Sequence, residues 1–549
     1  MQQKTISKKN LVTWNFQPLT FASLIICILV IVGLITGCRS PEKYKAQADK
    51  EVYKIIDNKW KNNFGQKTNY KISDTEPNDV QAERLVPPSR VLTLQQAVEI
   101  ATKYNREYQN QKESLYLRAL DLTLIRHQYA MQWFGTVDAE YLKRAGVEDN
   151  TVGSDAGFNK TMLVGKGIIV GTNLTLDWIR FLSGDSHTTL GSVLSANVVV
   201  PLLGNGAGKI ELENLTQAER NVLYQIRSFN RYRKTFVVGI INDYYRVLQQ
   251  EERVAISEAS YQRQIDNTNQ LRMEVEVGQR AQSDADEAEQ RLLTAKNSLI
   301  TAQQNYEQIL DNFKIGLSLP TDADISLDPN ELQALVTTGI SEPEYNVEDA
   351  IDMALARRLD YANSKDELDD ARRKLILAAE GLGVQLNMIG SADVESLPPT
   401  DYSRLQFHEG TYSLALEADL PFDRKAERNA YTEALITVQQ RQRGYDEDVD
   451  RIKLDVRQAY RDLVETAENY RIQKAALALA ERRVEEQRLL LEYGRGTIRL
   501  LLETEDDLVQ AQNNVTDALV RHTDAKMSFF RDTGILEVKP DGMWEQGIK

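Results

Sequence analysis

The stretch VGQRAQSDADEAEQRLLTAKNSLITAQQNYEQILDNF, residues 277–313, decides the fold of this chain. Its small and apolar residues recur in alternating steps of three and four, at Ala285, Ala288, Leu292, Ala295, Leu299, Ala302, Tyr306, Ile309 and Phe313. A strict heptad seam repeats every 3.5 residues, so it predicts a helix in a left-handed supercoil. A preceding helix is predicted from Lys209 to Val277, which would span about 100 Å before the chain reverses at Gly278.

The same pattern occurs again 216 residues later. The corresponding positions are Leu501, Thr504, Leu508, Ala511, Val515, Ala518, His522, Ala525 and Phe529. The break before them is Tyr493-Gly494-Arg495-Gly496, so Gly494 corresponds to Gly278. Upstream, residues 94–101 correspond to residues 347–354. The chain is therefore predicted to contain two copies of one unit, each ending in a long, glycine-tipped helical hairpin.

In both copies the hydrophobic period changes from 3.6 to 2 ahead of the long hairpin. Alternating segments occur at 137–141, 174–178 and 194–198 in the first copy, and at 384–388 and 412–420 in the second. Alternation over about ten residues is typical of a transmembrane barrel, although a soluble sheet gives the same pattern. The first strand region is longer by roughly 33 residues. We expect the extra residues between 140 and 185, as a larger external loop or longer strands.

The N-terminus carries an export signal. Lys4, Lys8 and Lys9 precede an apolar run that ends in Ile35-Thr36-Gly37-Cys38. A basic segment, an apolar core and small residues before a cleavage site predict a secretory signal peptide over residues 1–37, with a membrane-spanning anchor as the alternative. The final four residues resemble a bacterial lipobox, which implies lipidation of Cys38. Arg39, in place of aspartate, favours the outer membrane.

No catalytic, cofactor or metal motif stands out. The segment Gly204 to Lys209 is one residue short of a phosphate-binding loop, and Ile210 occupies the Ser/Thr position. The four histidines lie far apart, without ligand spacing. A net charge of -15 also argues against a nucleic-acid-binding surface. The chain is predicted not to be an enzyme, with no cofactor, no metal and no nucleic-acid partner.

The order of elements resembles the outer-membrane efflux protein (TolC) family, including its lipoprotein-type members. The likeness covers about residues 92–536: helix, two strands, long helix, glycine tip and returning helix, all duplicated. It implies a mainly α fold with a membrane β-barrel portion. Three copies would form a homotrimer, each giving four strands to a shared 12-stranded β-barrel and its helices to a long α-helical periplasmic barrel.

The resemblance also implies a function. Members serve as passive exit ducts of tripartite efflux or secretion systems, in the outer membrane, together with a periplasmic adaptor (membrane fusion protein) and an inner-membrane pump. The alternative is a non-pore periplasmic coiled-coil scaffold or adaptor lipoprotein. The predicted division is a signal peptide 1–37, a lipidated leader 38–91, a first repeat 92–340 (strands about 132–202, hairpin about 209–314), a second repeat 341–536 (strands about 384–421, hairpin about 424–532) and a tail 537–549.

The resemblance further implies two sets of site residues. Family hairpin tips carry Val-Gly-x-Arg where the adaptor docks; the first tip here matches it in full, and the second keeps only its glycine. The implied docking residues are Val277, Gly278, Arg280, Gly494, Arg495 and Gly496. A periplasmic gate is expected at Asp284, Asp286, Glu287, Leu500 and Glu503, with Glu503 as an acidic ring and Leu500 as an apolar collar. Solvated charges on a helix face are the alternative for these acids.

Overall fold

The computed structural model describes residues 40–65, 68–72, 86–144, 147–164, 168–181, 188–203, 206–340, 345–397, 401–420, 422–539 and 544–546. The predicted signal peptide, residues 1–37, and Cys38 lie outside these residues. The chain divides into two compact units, Met1–Ile55 and Ile56–Lys549. Of the first unit, the described part is the start of one helix. In the part of the chain that the structure describes, no helix is both long and apolar enough to cross a membrane.

The described part of the chain is built from long helices and a set of strands. The helices are α1 (Pro41–Phe64), α2 (Leu94–Tyr104), α3 (Arg106–Gln128), α4 (Gly206–Glu276), α5 (Gln282–Gly316), α6 (Asn330–Thr338), α7 (Val347–Arg357), α8 (Leu359–Glu380), α9 (Lys425–Glu492) and α10 (Ile498–Asp532). The strands are β1 (Val91–Leu92), β2 (Gln132–Arg144), β3 (Val147–Val164), β4 (Ile168–Phe181), β5 (Thr188–Leu203), β6 (Ser326–Leu327), β7 (Gln385–Leu397), β8 (Asp401–Leu405), β9 (Thr411–Asp419), β10 (Leu536–Val538) and β11 (Trp544–Gln546).

Each copy opens with a capped short helix followed by a longer one. The Thr93 hydroxyl caps α2 by accepting from the backbone N–H of Gln96, whose side chain accepts from the Thr93 N–H at 3.0 Å. Asn346 caps α7 in the corresponding place, accepting from the N–H of Asp349 at 2.8 Å. Because such caps satisfy N–H groups that a helix leaves without partners, they fix where both copies begin.

Hydrophobic clusters hold the short helices on the long ones, and two of them contain Tyr244 and Phe529. Tyr244 of α4 is fully buried; its hydroxyl donates to the carbonyl of Leu92 at 2.9 Å, and its ring meets Phe313 of α5 edge-on at 6.1 Å. In the second copy Ile351 of α7 and Phe529 of α10 are buried in one cluster with α9 residues. Burial of each large apolar side chain contributes about 1.5–3 kcal/mol, so these cores anchor the short helices on the long ones.

The two predicted heptad seams are confirmed. None of their positions, from Ala285 to Phe313 or from Leu501 to Phe529, is exposed. α4 has 71 residues and α9 has 68, so each spans about 100 Å. The returning helices α5 and α10 have 35 residues each. The seams therefore face the longer helix of their own hairpin or the neighbouring hairpin, as a supercoiled pair requires.

The long strands form one antiparallel sheet in the order β2-β3-β4-β5-β7-β9, with the short β8 paired to the end of β7. Two neighbouring rows of residues across this sheet show its two faces. The apolar row is Trp133, Phe158, Leu174, Leu194 and Val394. The polar row is Gln132, Asn159, Asn173, Ser195, Asp393 and Thr411. Successive residues of a strand point to opposite faces, so one face is apolar and the other polar.

The prediction of two strands per copy, and so of four per chain, is wrong for the first copy, which has four strands in this region. The alternating segments at 137–141, 174–178 and 194–198 lie in β2, β4 and β5, but the sequence pattern did not predict β3. The extra residues form a complete hairpin, β3–β4, rather than a larger loop or longer strands. Many positions of β3 hold Gly, Ser, Asp or Asn, which have low strand propensity; its partners on both sides make it a strand.

Candidate functional site: the two hairpin tips

Both hairpins reverse through the same backbone turn. At the first tip the N–H of Gly278 donates to the carbonyl of Val275 at 2.9 Å, and the N–H of Gln279 to that of Glu274 at 2.8 Å. At the second tip Gly494 donates to Leu491 at 3.1 Å and Arg495 to Leu490 at 2.8 Å. These are the two bonds of a Schellman motif, which needs a residue with positive φ. The two glycines supply it, with φ of 74° and 69°.

The tips differ in the residues just after the turn. In the first, Arg280 folds back onto Glu274 of α4, with Nε 3.1 Å from the carboxylate. In the second, the chain stays so close to α9 that a Cβ on Gly496 would lie 2.8 Å from the backbone nitrogen of Leu491. Glycine is therefore required there for space. Each tip also presents a large apolar side chain to the outside: Val277 is 69% exposed and Tyr493 75%.

An apolar cluster joins the two hairpins just behind the tips. It contains Leu271 of α4 and Ala288 of α5, together with Ile498, Leu501 and Leu502 of α10. All five are buried. Because apolar residues of both hairpins are withdrawn from water in this contact, the cluster favours a state in which the tips lie side by side.

Two ion pairs cross between α5 and α10 in the same region. Nε of Arg499 lies 3.3 Å from Glu287, and Arg291 contacts Asp506. The side chain of Arg499 is largely exposed, so its pair contributes about 1 kcal/mol or less. Burial raises the pKa of Asp506, the charges of Asp507 and Glu503 add to the rise, and Arg291 opposes it.

Glu505 is the most deeply buried carboxylate near the tips. Only 2% of the residue is exposed, and its carboxylate accepts from the side-chain amides of Gln264 at 3.2 Å and Asn267 at 2.9 Å. Arg488 of α9 reaches its other oxygen at 3.4 Å. Glu505 thus connects α4, α9 and α10. Removing it would leave two amides without this acceptor inside the helix packing, which is costly in a low-dielectric interior.

The predicted gate residues lie in different surroundings. Asp284 is half-buried in the first turn of α5, and Asp286 is exposed and accepts from Gln282 at 3.0 Å. Leu500 is 39% exposed and Glu503 is exposed on α10. Glu287 is the one of the five that makes an ion pair between the hairpins, with Arg499.

The sequence reasoning missed Glu505, Arg291 and Asp506. For Glu505 a signal was present: it directly follows the seam position Thr504, so it lies beside the buried stripe of its helix. The pairing of Arg291 with Asp506 had no local signal, because 215 residues separate the two. Among the described residues, no group of His, Cys, Asp and Glu side chains could hold a metal ion.

The fold matches that of solved outer-membrane channels. The Campylobacter jejuni CmeC outer membrane channel has a TM-score of 0.57 at 13% identity, over 86% of this chain and 90% of that chain. The Neisseria gonorrhoeae MtrE outer membrane channel, in its open state, gives 0.57 and 13%, over 85% and 94%. The Vibrio cholerae outer membrane protein VceC gives 0.58 and 12%, over 80% and 96%.

No protein-family model and no curated protein matched the sequence. At 12–13% identity the structural likeness establishes the fold. The chain has the fold of these outer-membrane channels, so the resemblance inferred from the order of its elements is confirmed.

Proposed function

We propose that this chain, with the fold of outer-membrane channels, forms the passive exit duct of a tripartite efflux or secretion system. Three copies make the channel. A periplasmic adaptor and an inner-membrane pump deliver the cargo, and the duct passes it through the outer membrane. The chain performs no catalysis and needs no cofactor.

The observation that carries the proposal is the sheet with one apolar and one polar face that continues directly into long helices. The apolar face suits lipid and the polar face suits a water-filled lumen. Only two residues separate β5 from α4, and five separate β9 from α9. A wall of this kind would conduct solutes from a helical tunnel into a membrane pore.

Lipidation of Cys38 would attach the chain to the outer membrane. We expect Cys38→Ser to abolish incorporation of radiolabelled palmitate and to leave the precursor uncleaved, since the modified cysteine becomes the first residue of the mature protein. Unchanged labelling of the variant would show that the anchor lies elsewhere.

The tips are the proposed docking site for the adaptor. Val277 and Tyr493 are exposed apolar side chains at the ends of both hairpins, beside Arg280, Arg495 and the tip glycines. Photo-crosslinkers at Val277 and Tyr493 should capture a periplasmic protein with a helical hairpin, identified by mass spectrometry. A crosslinker at Leu293, exposed on α5 away from the tip, is the control. Equal capture at Leu293 would contradict docking through the tips.

The gate is proposed to lie just behind the tips. Asp284, Asp286, Glu287, Leu500 and Glu503 would line the constriction. The links that hold it closed would be Arg499 with Glu287, Arg291 with Asp506, and the buried Glu505 with its two amides. Separating the second hairpin from the first requires all of these contacts to break.

The function is tested by single-channel recording of the purified, lipidated protein in a planar bilayer. We expect discrete openings, and a higher open probability for Arg291→Ala with Arg499→Ala, because that variant loses both ion pairs between α5 and α10. The matched control is Arg118→Ala with Arg451→Ala, which removes two exposed ion pairs that lie within single helices. Asp284→Ala with Glu503→Ala should reduce cation selectivity, measured as the reversal potential in a salt gradient.

The recordings distinguish the duct from the alternative function, a non-pore scaffold or adaptor. Openings that none of the variants alters would retain the duct and remove these gate residues. A folded protein without channel activity would contradict the duct and favour the non-pore scaffold or adaptor.

A further inference from the structure

Six of the strands that the structure describes are long enough to cross a membrane. They are β2, β3, β4, β5, β7 and β9, with 13, 18, 14, 16, 13 and 9 residues. A transmembrane strand needs about 9–11 residues. Two of the six, β3 and β4, form the hairpin that the second copy lacks.

The inserted hairpin has the same two faces as the rest of the sheet. Phe158 of β3 and Leu174 of β4 belong to the apolar row of the sheet. Asn159 and Asn173 belong to the neighbouring polar row. β3 pairs with β2 through residues 147–159 and with β4 through residues 151–164. The hairpin is therefore built as a section of wall, with one side for lipid and one for water.

The two outer edges of the sheet need partners. Among the described strands, β2 pairs only with β3, and β9 with β7. Trp133 on β2 and Leu414 on β9 are each 75% exposed. A strand edge cannot stand open in hydrocarbon, because its N–H and C=O groups find no partner there. Six strands are also fewer than the eight of the smallest bacterial barrels, so another chain must close these edges.

The two edges fit each other in direction, face and stagger. β2 leaves the helices and β9 returns to them, so β2 of one copy would be antiparallel to β9 of the next. The helix ends of the strands are also staggered between β2 and β5, while those of β5, β7 and β9 are level. Gln132, at the helix end of β2, is therefore level with Thr411, eight residues before Asp419 at the helix end of β9. Averaged over the sheet, that is about 27 Å across five strand spacings of about 4.8 Å, a mean inclination of roughly 45–50°, near the 35–45° of barrel strands.

We propose that β3 and β4 are part of the membrane wall, so that three copies close an 18-stranded barrel through pairing of β2 with β9 of the neighbouring copy. The inference rests on the proposed function for the number of copies. Barrel diameter grows roughly linearly with strand number, so the membrane pore is about 1.5 times as wide as one of twelve strands. The wall would then not be the narrowest part of the duct, and the tips would limit which solutes pass.

Cysteine pairs test the arrangement. Directly opposed residues of antiparallel strands lie within disulfide reach. Thr136→Cys with Asp155→Cys joins β2 to β3, and Asn173→Cys with Ser195→Cys joins β4 to β5; both should crosslink within one chain. Thr136→Cys combined in turn with cysteine at Ser413, Ala415 and Glu417 scans the contact between copies. All these positions lie on the polar face, whereas Thr136→Cys with Leu414→Cys places the thiols on opposite faces and should not crosslink.

The proposal expects covalent dimers and trimers for at least one of the three scanning pairs, and both crosslinks within the chain. Crosslinked products no larger than dimers would contradict an assembly of three copies. If cysteines in β2 crosslink to β5 instead, the inserted hairpin lies outside the wall and the proposal is wrong. Counting the strands of the barrel by cryo-electron microscopy of the native protein is an independent test. A barrel of 18 strands would support the proposal, and one of 12 would contradict it.

A deletion separates this inference from the function itself. Removing residues 147–181 deletes one strand that runs towards the helices, β3, and one that runs away from them, β4. The chain can therefore still turn from β2 directly into an antiparallel β5. The proposal expects a folded trimer with 12 strands and retained channel activity. If the full-length protein shows no openings but the crosslinks form as described, the duct fails and the 18-stranded assembly stands.

Discussion

The two copies of the repeat agree in their hairpins and differ in their sheets. α4 and α9 end at Glu276 and Glu492, and the tip glycines follow each by two residues. The strand regions, by contrast, hold four strands in the first copy and two long ones in the second. An inserted pair of antiparallel strands leaves the direction of the chain unchanged, so the next strand still runs back to the helices. The sheet can therefore gain a hairpin without moving the helical part.

The two hairpins share the same backbone turn but differ in which side chains they bury. Glu289 and Glu505 are equivalent positions, yet Glu289 forms an exposed pair with Arg272 while Glu505 is buried. On the seam, Tyr306 corresponds to His522. At these two pairs of equivalent positions, the second hairpin thus buries a carboxylate and an imidazole where the first has an exposed carboxylate and a half-buried tyrosine. The stability of the second hairpin should therefore depend more on charge and pH at these positions than that of the first. Two predictions test this difference, and a third tests the turn that the hairpins share.

The largest effect is expected from Glu505→Ala. It removes the acceptor of two buried amides and creates a small cavity, so opening of the surrounding helices should become easier by about 3 kcal/mol. Hydrogen exchange of amides 260–268 and 500–508 measures this directly. The matched control Glu289→Ala should change protection by well under 1 kcal/mol, because that pair is exposed. Equal effects of the two substitutions would remove the proposed difference between the hairpins.

A smaller, pH-dependent effect is expected from His522. Burial, followed by the charges of Lys526 and Arg471, lowers the pKa of His522 to about 4. An unfolded histidine has its pKa near 6.5, so the unfolded state binds the proton better and stability is lost as pH falls from about 6.5 towards 4. At pH 5 the loss should be about 2 kcal/mol.

The measurement is the protection of amides 515–530 at pH 7 and pH 5, corrected for intrinsic exchange rates. His522→Tyr, which copies the residue of the first hairpin, should abolish the difference. Burial raises the pKa of Tyr306 to about 12, so Tyr306 itself does not titrate in this range. A response of both hairpins alike would point to a different titrating group.

The smallest effect should be the same in both hairpins. Gly278→Ala and Gly494→Ala each place a Cβ on a residue with positive φ, which costs about 1–2 kcal/mol. No other atoms lie within 4 Å of either added Cβ, so the cost is conformational alone. Proteolytic nicking of the tips should increase to a similar degree in both variants. Gly316→Ala, which meets no neighbouring atom and has no positive φ, should leave nicking unchanged.

Much of the helical fold could be read from the sequence. The seams from Ala285 and from Leu501 are strictly periodic, and the tip glycines interrupt them at corresponding positions. The strand region was harder. β3 contains few of the residues that favour strands, and its conformation depends on hydrogen bonds to β2 and β4. The sequence pointed to the tips and to Glu287 as candidate site residues, but not to the buried Glu505 at the centre of the site.

By itself, the sequence determined the duplication, the helical hairpins and their reversal points, because helix periodicity and positive φ are local properties of the chain. Only the tertiary structure decided which charges pair across the hairpins, that Glu505 is buried while Glu289 is exposed, and that the extra residues add a hairpin to the sheet. Those outcomes depend on partners that are distant in sequence, such as Arg291 and Asp506, and no local pattern encodes them.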